Sequence, residues 1–166
     1  MPYEGRPFTV GEVARATISE VSDLGILNQA NSWKTLQAVS LLERNSTYNR
    51  EVGLRWIKQA EGEHASVASF ARHTLQLMSL GAPSELLMAS QAASIDEIKH
   101  AKMCYGLGSL FLEQEMVPGV FDVENSLEGL GVREIVQSVI QEGCVEETLA
   151  AIEAHYRECL AQEPDV

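Results

Sequence analysis

The stretch VGLRWIKQAEGEHASVASFARHTLQLMSLGAPSELLMASQAASIDEIKHAKMCYGLGSLFL, residues 52–112, decides the fold. Over Val52–Leu80 and again over Ser84–Leu112, apolar residues recur at helical spacing, and Gly81-Ala82-Pro83 between them reads as a stop and a restart. Each helix would span roughly 40 Å at about 1.5 Å per residue, and so short a link sends the second back along the first. A third helix is expected from Val132 to about Gln162, after a Pro/Gly loop that opens Met116-Val117-Pro118-Gly119 and runs to about Gly131. No segment alternates apolar and polar residues in a β-branched run, so no strand is expected. The expectation is an all-α chain: three long antiparallel core helices within residues 51–166, preceded by an N-terminal helical extension, residues 1–50. Within that extension, residues 1–8 read as an extended lead-in. Thr9 and Glu12 form a capping box that opens a short helix to about Asp23. Helix is expected again near Trp33–Glu43, and Asn45-Ser46-Thr47-Tyr48-Asn49 reads as a break.

Projecting the helices at about 100° per residue exposes an anomaly. On the first helix Trp56, Ala60, Val67, Phe70, Ala71, Thr74 and Met78 form an apolar arc with Glu63 inside it, whereas Arg55, Lys58, Arg72 and Gln76 point elsewhere. On the second, Glu97 and His100 are three residues apart and share a face with Leu86, Ala89, Ala93, Ala101, Cys104, Gly108 and Phe111. On the third, Glu147 falls in the stripe Val136-Ile140-Gly143-Ala150-Ala151-Ala154, and Glu142, Glu146 and Glu153 fall on a side that can be solvated. Burying unpaired carboxylates is expensive. Three of them, one with a His at i+3, make a constellation that a cation would neutralise, and carboxylate oxygens with imidazole suit iron or manganese. Without metal, their mutual repulsion predicts that Glu63→Gln or Glu147→Gln is neutral or stabilising. Of the remaining histidines, His64 reads as a core residue hydrogen-bonded to a neighbouring helix and His73 as solvated. His155 lies two turns beyond Glu147, so it reads as structural or as a support to the ligands. Tyr105 reads as core, and Cys104 and Cys144 as small buried hydrophobes.

One Glu on a first helix and Glu-x-x-His on the next resemble the first half of a ferritin-like di-iron carboxylate site. The local sequences Glu63-His64-Ala65-Ser66, Asp96-Glu97-Ile98-Lys99-His100-Ala101 and Gly143-Cys144-Val145-Glu146-Glu147-Thr148-Leu149-Ala150-Ala151 are similar to an uncharacterised bacterial ferritin-like group, over about residues 52–162. The resemblance implies a ferritin-like antiparallel bundle with Glu63, Glu97, His100 and Glu147 as metal ligands, Glu97 and Glu147 being the bridging candidates. It also implies a fourth helix with a second Glu-x-x-His, which would start where Asp165-Val166 stand. The one other such motif, Glu61-Gly62-Glu63-His64, lies on the first helix. The expectation is therefore a site completed by a homodimer or by a downstream partner chain.

The remaining composition excludes other classes. The 166 residues suit one domain, and 45% apolar content can fill its core. Twelve Lys and Arg against 24 Asp and Glu give a net charge of −12, with basic residues scattered singly, which disfavours nucleic acid and anionic membrane surfaces. No stretch reaches the roughly 20 apolar residues of a membrane span. The N-terminus has no apolar signal segment. Three cysteines, Cys104, Cys144 and Cys159, with no Cys-x-x-Cys pair, fit a reducing compartment, so a cytoplasmic location is expected. Three functions are compatible with this reading. They are an iron-dependent oxidoreductase with a di-iron or di-manganese centre, a ferroxidase or iron-storage protein, and a non-catalytic helical interaction module with a degenerate half-site.

Overall fold

A computed structural model of the chain describes residues 8–10, 13–21, 33, 46–126 and 131–160. The architecture is mostly helical. Helix α1 (Ser46–Ser79) and helix α2 (Ser84–Leu112) form a long antiparallel hairpin. The third helical stretch comprises α3 (Val132–Ser138), a π-helical segment (Val139–Glu146) and α4 (Glu147–Leu160). No helix among the described residues is long and apolar enough to cross a membrane.

Gly81 makes the hairpin turn. Its φ of 66° lies in the left-handed region, and the chain closes with Ala82 N donating to Leu77 O (3.0 Å) and Gly81 N to Met78 O (3.1 Å). That is the Schellman pattern in which glycine ends a helix, and Pro83 then leads into α2. A Cβ at Gly81 would meet nothing within 4 Å. Its substitution is therefore a test of backbone conformation alone: Gly81→Ala should lower stability by about 1 kcal/mol in urea unfolding, since the left-handed conformation costs a non-glycine residue that much. An unchanged unfolding midpoint would show that the turn relaxes.

The hairpin core is formed by Ile57, Ala60, Ala101, Cys104 and Tyr105. Gly108 lets the helices approach here, because a Cβ would collide with the Ile57 side chain. Trp33, a helical residue, packs against this cluster. The rest of the expected Trp33–Glu43 helix lies outside the described residues, as do residues 1–7 and 161–166.

Among the described residues, four short strands depart from the all-helical expectation. Strands β1 (Phe8–Val10) and β2 (Val13–Arg15) pair antiparallel, and β3 (Ser19–Val21) pairs antiparallel with β4 (Met116–Pro118). The capping-box reading of Thr9 and Glu12 is thus replaced by a hairpin. Three-residue strands are too short to show a period; in the sequence, a Gly-headed pair between two short apolar runs is a known hairpin signal, and Gly11 and Glu12 themselves lie outside the described residues. Tertiary contacts then decide. Phe8 is buried, edge-on to Phe121 and under the Arg72 guanidinium. Ser19 donates from both its backbone N (3.1 Å) and its Oγ (2.6 Å) to Glu61 Oε1, which ties β3 to α1. The expected break at Asn45–Asn49 is instead the start of α1, from Ser46 onward. Asn, Ser and Thr favour helix starts as well as loops, and here the helix start wins.

Candidate metal centre

Glu63 and the Glu97/His100 pair lie at comparable distances along the chain from the turn at Gly81, so the hairpin sets them side by side. His100 Nδ1 lies 3.6 Å from Glu63 Oε2 and 3.9 Å from Glu97 Oε2. One donor atom from each residue falls within 4.8 Å of the other two, so the group could hold a metal ion. Gln59 Nε2 donates to Glu63 Oε1 at 2.6 Å and fixes that carboxylate from one turn below.

The three groups perturb one another. Burial opposes ionisation of Glu63, but its hydrogen bonds with His100, Glu97 and Gln59 outweigh that and lower its pKa. Glu97 is pushed up to about 7, first by burial and then by the neighbouring Glu63 carboxylate, against the pull of His100. His100 is raised to about 10 by its contacts with Glu63 and Glu97. Two carboxylates crowded together retain a proton, and the imidazolium is the positive charge that balances them. A divalent cation would take over that role as His100 and Glu97 release protons, so the donor chemistry fits a metal. The His100 side chain remains 48% exposed, which leaves an approach to the site. Cys104, beside Glu63 and pushed up to about 12 by burial and that charge, stays a thiol.

A cleft of about 460 Å³ opens between the hairpin and the third helical stretch. Glu97 and His100 line it, and Glu142 and Glu147 face it from the π-helical side. Glu147 is therefore near the cluster but outside the three-residue group. Glu142, expected in solvent, has only 16% side-chain exposure. It accepts from Ser138 Oγ (2.8 Å) and lies 3.7 Å from Arg72 Nη2. The cause is the local helix type. At about 100° per residue Glu142 and Glu147 would sit roughly 140° apart. Bonding from i to i+5 widens the turn, so residues five apart come round to nearly the same face. Glu146, also placed in solvent by an α-helical projection, is half-buried for the same reason.

Several other expectations need correction. Arg72 does not point away; it is 7% exposed. The buried face of α1 runs through Ala65, Ser69 and Arg72, and this i, i+4, i+7 stripe is the signal that could have revealed the arginine. Ala71 and Met78, placed in the apolar arc, are exposed. His64 does not make the expected hydrogen bond: its ring lies edge-on to Trp33 (5.7 Å) and Phe121 (5.8 Å), and Nδ1 has no partner among the described residues. Burial lowers its pKa, so it stays neutral. His73 lines the cleft instead of being solvated. His155 is exposed and pairs with Glu158 at 3.4 Å, away from the centre. Cys104 is buried but Cys144 is exposed on the cleft. Tyr105 is fully buried core, its OH 3.3 Å from Ser19 Oγ. Val136 and Ile140, placed in the core-facing stripe of the third helix, are about half exposed.

Comparison with known protein families, curated proteins and solved structures finds no match to this chain.

Proposed function

We propose that this chain is a ferritin-like metal-binding protein whose centre, built on Glu63, Glu97 and His100 with Glu147 as a fourth donor, serves an oxidoreductase reaction. The observation that carries the reading is the meeting of a buried carboxylate, a half-buried carboxylate and an imidazole from two helices. Oxygen donors with one imidazole favour iron or manganese over the thiolate-seeking metals. Carboxylates also supply the negative charge that stabilises an oxidised metal ion.

Three or four protein donors leave coordination positions open. Met103, one turn beyond His100 on α2, is 44% exposed, and Leu86, nearer the hairpin turn, is 51% exposed. A second copy of the chain, set about a two-fold axis, would cover such residues and bring two Glu-plus-Glu-x-x-His sets together. A downstream partner chain supplying the same donors is the competing arrangement. Purified protein is expected to carry iron or manganese by elemental analysis, and to sediment as a dimer when loaded. A stable monomer holding two tight ions would sink the second-copy arrangement. Protein that neither carries nor takes up either metal would remove the whole reading.

A further inference from the structure

Glu147 belongs to a stretch that packs loosely on the hairpin. In α3, the π-helical segment and α4, Ile135 is the only buried residue among those described. Val136, Ile140, Leu149 and Ile152 are about half exposed or more, so apolar burial does little to set this stretch against α1 and α2. A donor on it needs another means of being held in place. The cleft contains one: Arg72 on α1, buried and paired across the gap with Glu142.

We propose that Arg72, through Glu142, is the positioning residue that holds the π-helical segment so that Glu147 faces the Glu63–Glu97–His100 group. Three observations converge on it. First, the Arg72 guanidinium is itself fixed, stacked 4.6 Å above the ring of Phe8, which is 1% exposed. It is therefore a rigid anchor on the hairpin side. Second, Glu142 is held on its own helix by Ser138 Oγ, so the ion pair pulls on the segment and not on a free side chain. Third, the π-helical turn places Glu142 and Glu147 on one face, and both line the same cleft. Fixing the first fixes the second. Thr148 Oγ1 donating to Cys144 O at 2.6 Å, together with Glu147 N on the same carbonyl, secures the end of the widened turn. An α-helical segment would turn Glu147 away whenever Glu142 met Arg72.

This assignment rests on the metal-centre reading, with Glu147 as fourth donor. It is tested on the full chain with Co(II) alone, its affinity read by chelator competition and its coordination by visible absorption. Groups that orient metal ligands typically change affinity 10- to 100-fold when removed. Arg72→Met and Glu142→Gln should each weaken Co(II) about tenfold, to the level of Glu147→Gln, with a matching change in the spectrum. Neither should weaken it further in the Glu147→Gln background, because the effect acts through that residue. Hydrogen exchange over residues 139–147 should quicken in both. Glu142→Gln leaves the hairpin residues intact, so it keeps the test decisive if Arg72→Met misfolds. Unchanged affinity in Glu142→Gln, or a full extra loss when it is added to Glu147→Gln, would overturn the positioning role. Binding that is lost in Glu97→Gln but unaffected by Glu147→Gln would also overturn it while leaving the three-residue centre standing. Wild-type protein that binds no Co(II) would instead overturn the centre, and the positioning role with it.

Discussion

Glu97→Ala and His100→Ala should each weaken manganese or iron binding by at least about a hundredfold. Supporting groups around metal ligands are worth 10- to 100-fold, so removal of a direct donor should cost no less. The two substitutions act differently. Loss of Glu97 removes a buried negative charge, and loss of His100 removes the imidazole nearest both carboxylates. Glu158→Gln, on an exposed side chain in α4, should leave affinity within error of wild type. Equal losses in all three variants by elemental analysis would place the metal elsewhere. Because a cation must displace protons from His100 and Glu97, wild-type affinity should also rise from pH 6 to pH 8, and Glu97→Gln should flatten that slope.

The metal-free protein should become less stable as pH rises from about 5 to about 9. Glu97 takes its proton with a folded pKa of about 7 against 4.5 in its ordinary state, and His100 with about 10 against 6.5. Between each pair of values the folded chain binds more protons than the unfolded chain, so raising the pH favours unfolding. The Glu97 contribution builds from about pH 4.5 to 7, and the His100 contribution is lost from about pH 6.5 to 10. At pH 8, Glu97→Gln should therefore raise metal-free stability by about 1–2 kcal/mol, since an amide carries no charge to bury. Glu63→Gln should do the reverse. The pKa of Glu63 is lowered, so its ionised form is favoured in the fold and the amide loses that gain. This amends the simple expectation that any of the crowded carboxylates can be neutralised freely. Chemical unfolding of the chelated protein at pH 5, 7 and 9 separates the cases; stability rising across that range would show that the cluster is not charged as described.

Much of the hairpin was legible from local signals. Gly81 and Pro83 punctuate it, and the i, i+3 spacing puts Glu97 and His100 on one face. Those features depend on neighbours in sequence, and a long helical period repeats enough to be read. The meeting of Glu63 with that pair follows from the turn, since two helices of similar length folded at one glycine must bring such positions together. Local sequence signals were therefore enough for two antiparallel helices and for three residues of the candidate site on their facing sides.

The rest was decided by tertiary structure. Phe8, Thr17 and Ser19 find their partners on residues far along the chain: Phe121 and Arg72, Gly119 O, and Glu61. Three-residue strands satisfied by such contacts carry no period of their own, so a local capping signal at Thr9 prevailed in the reading. Arg72 looked solvated because its charge outweighs its place in a stripe of small residues; a stacked ring and a facing carboxylate make its burial affordable. The π-helical turn is the clearest case. A projection at a fixed angle carries one phase along the whole third helix, and a single widened turn shifts every residue after it. Whether Glu142 faces water or the cleft therefore depended on backbone hydrogen bonds that no spacing of residue types records.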